Sequence, residues 1–149
     1  MVTLEHLRRG AAALAAAAAF ATGLAGCGSS STSPSNLVPF SQLDVRLGTG
    51  TEAVAGKALS VNYTGWLYDA SKTDAKGVQF ETSVGGTPLA FTLGANQVIE
   101  GWERGVPGMK VGGVRRLVIP SSLAYGASRN GPIPPYASLV FEIELLDAQ

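Results

Sequence analysis

The chain has 149 residues, room for one ordinary domain, and its eleven basic and eleven acidic side chains balance, which gives no electrostatic case for nucleic acid binding. Its single cysteine, Cys27, rules out an intrachain disulfide, and its single histidine, His6, lies in the N-terminal segment. The folded part therefore has no Ser-His-Asp or Cys-His constellation and no Cys/His zinc site. Nineteen glycines and only 15% charged residues point to a turn-rich, sheet-dominated chain.

Arg8 and Arg9 precede an Ala-rich apolar run from Gly10 to Gly26. The run falls short of the roughly 20 apolar residues a spanning helix needs, and a basic start before a short apolar core describes a secretory signal. It ends in Leu24-Ala25-Gly26-Cys27, which resembles the bacterial lipobox. That resemblance implies cleavage before Cys27 and a diacylglycerol on its thiol. Residues 1–26 are thus expected to be a lipoprotein signal peptide. Residues 27–39, with the sequence CGSSSTSPSNLVP, are expected to be a lipidated cysteine and a flexible linker. As a random coil it reaches on the order of 20 Å. Loss of the signal peptide leaves nine basic and ten acidic residues.

The domain is expected over residues 40–149. Ser41–Leu47 reads as a first strand. Ala58–Tyr68 alternates, with Leu59, Val61 and Tyr63 opposed to Ser60, Asn62 and Thr64, the period of a half-buried strand. A polar loop over Asp69–Gly77 leads to a short strand, Val78–Thr82. A Gly-Gly-Thr-Pro turn then leads to a strand over Leu89–Leu93. Asn96 is the expected N-cap of a helix of about ten residues, whose apolar face carries Val98, Ile99, Trp102 and Val106 and which Pro107-Gly108 ends. Strands are expected at Val114–Ile119 and Ser138–Leu146, the latter with Leu139, Phe141, Ile143 and Leu145 in phase. Arg115-Arg116 reads as a surface charge pair. The order gives an α+β domain, a twisted antiparallel sheet wrapped around one short helix.

Seven segments in register, VNYTGWL at 61–67, QFETS at 79–83, PLAFTLG at 88–94, QVIEGWERGVPGMKVGG at 97–113, RRLVIP at 115–120, LAYGA at 123–127 and IPPYASLVFEIELL at 133–146, resemble the FKBP-type, macrolide-binding peptidyl-prolyl isomerases. The resemblance covers nearly all of residues 40–149. It implies the same fold and a pocket with Trp102 as floor, Tyr63, Phe80, Phe91 and Phe141 as walls, and Val98, Ile99 and Ile133 as aliphatic contacts. It also implies two donors to a bound carbonyl, the Tyr125 hydroxyl and the Ile99 N–H. The chain departs from the family pattern twice. Glu81 stands where the family commonly has Asp, and Leu89 where it has a pocket-edge aromatic. The segment from Leu67 to Gln79 is also longer than in compact members.

The implied activity is rotation about X–Pro bonds in exported or envelope proteins, with no cofactor or metal. The implied partners are proline-containing polypeptides, macrolide inhibitors and, through Cys27, a bacterial membrane; a monomer is expected. Residue by residue, simpler accounts stand beside this one. The Val98, Ile99, Trp102, Val106 stripe and the strand phenylalanines also suit plain core packing, and Glu81 also suits pairing with Arg115 or Arg116. A proline-peptide binding module with little turnover stays open on Glu81 and Leu89. A two-lobed solute-binding lipoprotein does not, because the chain is too short.

Overall fold

A computed structural model describes residues 38–149. The expected signal peptide, Cys27 and the linker as far as residue 37 lie outside the described residues. Alternation builds the sheet. β1 (Ser41–Arg46), β2 (Ala58–Tyr68), β3 (Lys76–Thr82), β4 (Leu89–Thr92), β5 (Val114–Ile119) and β6 (Leu139–Ala148) pair antiparallel in the order β1-β5-β6-β2-β3. β3 and β4 share one edge of β2, β3 along Thr64–Tyr68 and β4 along Ala58–Val61. Tyr63 sits between the two pairings, where the chain joining β3 to β4 leaves this edge of the sheet. There its N–H donates to Ser83 Oγ at 2.9 Å and its carbonyl accepts the Ser83 N–H at 2.9 Å.

Cross-strand register stacks the inward side chains in rows, Leu117 beside Phe141 beside Gly65 and Ile119 beside Leu139 beside Leu67. Leu59, Val61, Leu117, Ile119, Leu139, Ile143 and Leu145 are buried to 2% exposure or less. Full burial of each such side chain contributes roughly 1.5–3 kcal/mol. The one α-helix among the described residues, α1 (Glu100–Gly105), lies on β5. At six residues it has no stability alone, so packing holds it.

Gly101 and Gly105, one turn apart, let that packing be close. A Cβ at Gly101 would overlap the Ile119 side chain, and one at Gly105 would lie 2.6 Å from Leu117 Cδ2. Gly101→Ala is therefore expected to lower stability by about 1–3 kcal/mol, read as a fall in the denaturant midpoint at unchanged slope. An unchanged midpoint would mean that the helix does not depend on this approach.

Buried Arg115 fixes the other end of the helix. Its guanidinium donates to the Gly105 and Pro107 carbonyls, both at 2.9 Å, and to Asp44 Oδ1 at 2.6 Å. A cation satisfies the free carbonyls at a helix C-terminus and suits its negative dipole end. Arg115 is thus buried, and not a member of the surface charge pair expected at Arg115-Arg116. Arg116, on the opposite face, pairs with Glu142 at 3.1 Å and Asp74 at 2.9 Å. The long segment after Leu67 folds back on that outer face. Asp74 meets Arg116, and Lys76 reaches Glu142 at 2.6 Å while lying 4.5 Å over the Trp66 ring.

Strand bounds shift by one residue at the end of β1, the end of β4 and the start of β6, and four differences are larger. β3 begins at Lys76 rather than Val78, β6 runs on to Ala148, and a 3-10 turn forms at Ser121–Leu123. The helix is six residues, capped at Ile99 rather than Asn96. The Glu103 carboxylate reaches back to accept the Gly94 N–H at 2.7 Å and the Asn96 N–H at 2.9 Å. With its N–H so held, Asn96 adopts the left-handed region, φ 54°, and the chain from Gly94 to Val98 stays a loop.

Candidate functional site

The gap beside Tyr63 opens a cleft of about 350 Å³ between the inner face of the sheet and α1. Its lining includes Tyr63 from β2, Glu81 from β3, Leu89 from β4, Trp102 from α1, Phe141 from β6 and Tyr125 from the loop after β5. Asn96, Gln97, Val98 and Ile99 close the side nearest the helix.

Trp102 is 3% exposed and forms the centre of an aromatic cluster. Tyr63 meets it edge-on at 5.2 Å between centroids, Phe141 edge-on at 5.3 Å, and Phe91 at 5.9 Å tilted by 59°. Phe80 in turn meets Phe141 edge-on at 5.7 Å. Edge-to-face packing of this kind holds ring orientations and contributes beyond area burial. Gly65 makes room for it, since a Cβ there would stand 2.6 Å from Phe80 Cζ and 2.8 Å from Phe141 Cε1.

Of the residues expected at the site, Tyr63, Glu81, Leu89, Val98, Ile99, Trp102, Tyr125 and Phe141 line the cleft together. Three stand behind the lining. Phe91, 5% exposed, packs on Trp102 from β4, and Phe80 packs on Phe141. Ile133, 4% exposed, belongs to the buried core and closes a small loop through paired bonds with Asn130 at 2.9 and 3.1 Å. Phe91 and Ile133 are buried in the core, whereas Phe80 is half-buried and packs against its edge. Two lining residues escaped the sequence reading, Asn96 and Gln97. Polar loop residues carry no periodic signal. Gln97 Oε1 accepts the Thr92 N–H at 2.8 Å, tying this wall to β4. Glu81 lines the cleft and does not serve either arginine, since Arg115 and Arg116 are held by Asp44, Asp74 and Glu142.

Two donors face little competition. The indole Nε1 of Trp102 is buried with no hydrogen-bond partner among the described residues. The Ile99 carbonyl accepts the Trp102 and Glu103 N–H groups at 2.9 and 3.3 Å, while the Ile99 N–H meets no backbone acceptor among the described residues. Burial first, and the Glu81 carboxylate second, push the Tyr63 phenol up to about 12. A phenol so raised stays neutral in the folded state after it would ionise in the unfolded chain. Its contribution is complete below pH 10 and is lost as pH rises from 10 towards 12. The wild type is accordingly expected to lose stability across that interval relative to Tyr63→Phe. Parallel alkaline profiles of the two would show that the folded chain does not hold the Tyr63 phenol neutral.

The cleft holds no nucleophile paired with a base. It presents an apolar aromatic floor, a rim of hydroxyl and amide groups and one carboxylate. Such a site binds a compact apolar ring and orients the carbonyls beside it.

Known proteins with this pattern agree on one family. The sequence family described as FKBP-type peptidyl-prolyl cis-trans isomerase matches residues 49–146. The FK506-binding protein of Neisseria meningitidis serogroup B is 49% identical over 104 residues, covering 69% of this chain and 90% of that protein. A peptidyl-prolyl cis-trans isomerase of Saccharomyces cerevisiae is 47% identical over 100 residues, covering 66% of this chain and 70% of its own. The crystal structure of AtFKBP13 superposes with a TM-score of 0.63 at 35% identity, covering 74% of this chain and 93% of that one.

Proposed function

The chain belongs to the FKBP-type peptidyl-prolyl cis-trans isomerases, and we propose that it turns X–Pro bonds of exported polypeptides in the Trp102 cleft while a lipid on Cys27 holds it to a bacterial membrane. The observation that carries the site assignment is the Trp102 floor, ringed by Tyr63, Phe141 and Phe91. A proline ring fits such a floor, and the same apolar surface suits a macrolide.

The chemistry needs no proton abstraction and no covalent intermediate. Rotation about X–Pro crosses a barrier of about 18–20 kcal/mol and takes tens to hundreds of seconds unaided. At the top of the barrier the amide is twisted, resonance is lost and the carbonyl oxygen carries less negative charge. Water favours the polar planar form, so an apolar enclosure favours the twisted one in relative terms. The enzyme gains rate only from interactions stronger in the twisted state. Each tenfold needs about 1.4 kcal/mol of such difference.

In this cleft the proline ring would lie on Trp102, between Tyr63 and Phe141. The Ile99 N–H and the Tyr125 hydroxyl would hold the flanking carbonyls. The Trp102 N–H, without a partner among the described residues, adds a donor beneath the ring. Leu89 and Val98 extend the apolar mouth, favouring an apolar residue before proline.

The basic start, the apolar run and Leu24-Ala25-Gly26-Cys27 support the anchored reading. More than one acyl chain gives firm anchoring, at roughly 0.8 kcal/mol per buried CH₂. The test is phase separation in detergent of the chain expressed in a bacterial host. Wild type is expected in the detergent phase with Cys27 acylated, and Cys27→Ser in the aqueous phase. Equal partitioning of the two would overturn the anchor.

A further inference from the structure

The first strand has an inverted edge. β1 pairs with β5 on one side and ends the sheet on the other, and every residue of it is exposed. Sheet edges are blunted against further strand pairing by charges, bulges and inward-turned polar groups, and β1 carries a register irregularity between Asp44 and Arg46. Here the charges turn back. Asp44 accepts from Arg115 at 2.6 Å, and Arg46 donates to the Gly112 carbonyl at 2.9 Å and to Glu144 at 2.6 Å. The apolar residues between and beside them, Leu43, Val45 and Leu47, are left 59%, 51% and 77% exposed. Lys110 shares the hollow beside Leu47 and makes no salt bridge among the described residues.

We propose that the β1 edge, Leu43 and Val45 with Leu47 just beyond it and Lys110 beside them, rests on the lipid surface and keeps the β2-β3 side of the cleft away from it. The proposal builds on the anchored reading. Only twelve residues separate Cys27 from Phe40, and β1 begins at the next one. A coil of that length spans on the order of 20 Å, so β1 is the strand the tether brings to the bilayer first. Apolar side chains enter the boundary between headgroups and acyl chains, and a lysine at the same level meets anionic headgroups. Strand order does the rest. β3, which carries Glu81, lies four strand spacings from β1, about 19 Å. Contact at β1 therefore leaves the Tyr63 and Glu81 side of the cleft, on β2 and β3, open to polypeptides in the aqueous phase.

The test is hydrogen exchange on the acylated chain in vesicles of phosphatidylethanolamine and phosphatidylglycerol, with a variant carrying Leu43→Ser, Val45→Thr and Leu47→Ser. Macrolide binding by the variant checks that it is folded. The expected result is exchange over residues 41–48 at least tenfold slower in wild type on vesicles than in detergent. The variant should remain anchored and lose that protection. Wild type anchored without protection would overturn the lipid contact and leave the anchor standing. If Cys27 carries no lipid, the anchor fails, and the contact is read from co-sedimentation of the unmodified chain with the same vesicles. Binding lost in the variant supports it, and no binding by wild type overturns it. Protection that grows with protein concentration in the absence of lipid would identify a second copy as the occupant and overturn it too.

Discussion

Replacing Trp102 with leucine is expected to lower kcat/KM for an Xaa-Pro peptide at least tenfold and to weaken macrolide binding by a similar factor, in a chain that still folds. The indole supplies the floor on which Tyr63, Phe91 and Phe141 are set at 5.2, 5.9 and 5.3 Å. Leucine keeps an apolar contact with the core but removes the flat surface and the buried N–H. Truncating a buried aromatic costs roughly 3–5 kcal/mol when alanine replaces it, and leucine restores part of that volume. A smaller stability loss should accompany the larger functional one. Normal macrolide affinity in a folded Trp102→Leu chain would remove Trp102 from the site.

Gly65→Ala is expected to have the second large effect, through a residue that would touch no substrate. The backbone at Gly65 is not in the left-handed region, so alanine is conformationally acceptable there. The added carbon instead meets the edges of Phe80 and Phe141 at 2.6 and 2.8 Å. Those rings lock each other edge-on, and Phe141 also locks on Trp102. A shift at Gly65 therefore passes into the wall and floor of the cleft. Overpacking of this kind costs about 1–3 kcal/mol, and activity should fall about tenfold. Adding Phe80→Leu should recover part of both losses, because the two changes share one space and their effects should not add. Full activity in Gly65→Ala would show that the Phe80–Phe141 pair does not set the cleft.

The strands were legible because each buries one face. Leu59 and Val61 in β2 and Leu139, Phe141, Ile143 and Leu145 in β6 alternate in the sequence and are buried in the structure. The helix was legible in its apolar stripe but not in its start. Asn96 has the side chain of an N-cap, yet a carboxylate seven residues on takes its N–H and holds it in a loop. That contact depends on tertiary placement of Glu103, which local pattern does not carry. The same holds for Arg115, whose burial follows from the carbonyls that α1 ends on.

Most of the cleft was legible through the family resemblance rather than through period or spacing. Trp102 and Phe141 by themselves read as ordinary core, and the structure shows them as both core and lining. Ile133 went the other way, read as a contact and found in the core. Gly65 carried no signal as a glycine in a strand until the rings packed over it were known.

The most direct test of the account is cis-to-trans isomerisation of a short Xaa-Pro peptide by the purified chain, with and without a saturating macrolide. Catalysis abolished by the macrolide is the predicted result, because one aromatic cleft would then hold both. Catalysis that persists with the macrolide bound, or a folded chain that binds it and turns over no peptide, would contradict the assignment of turnover to the Trp102 cleft.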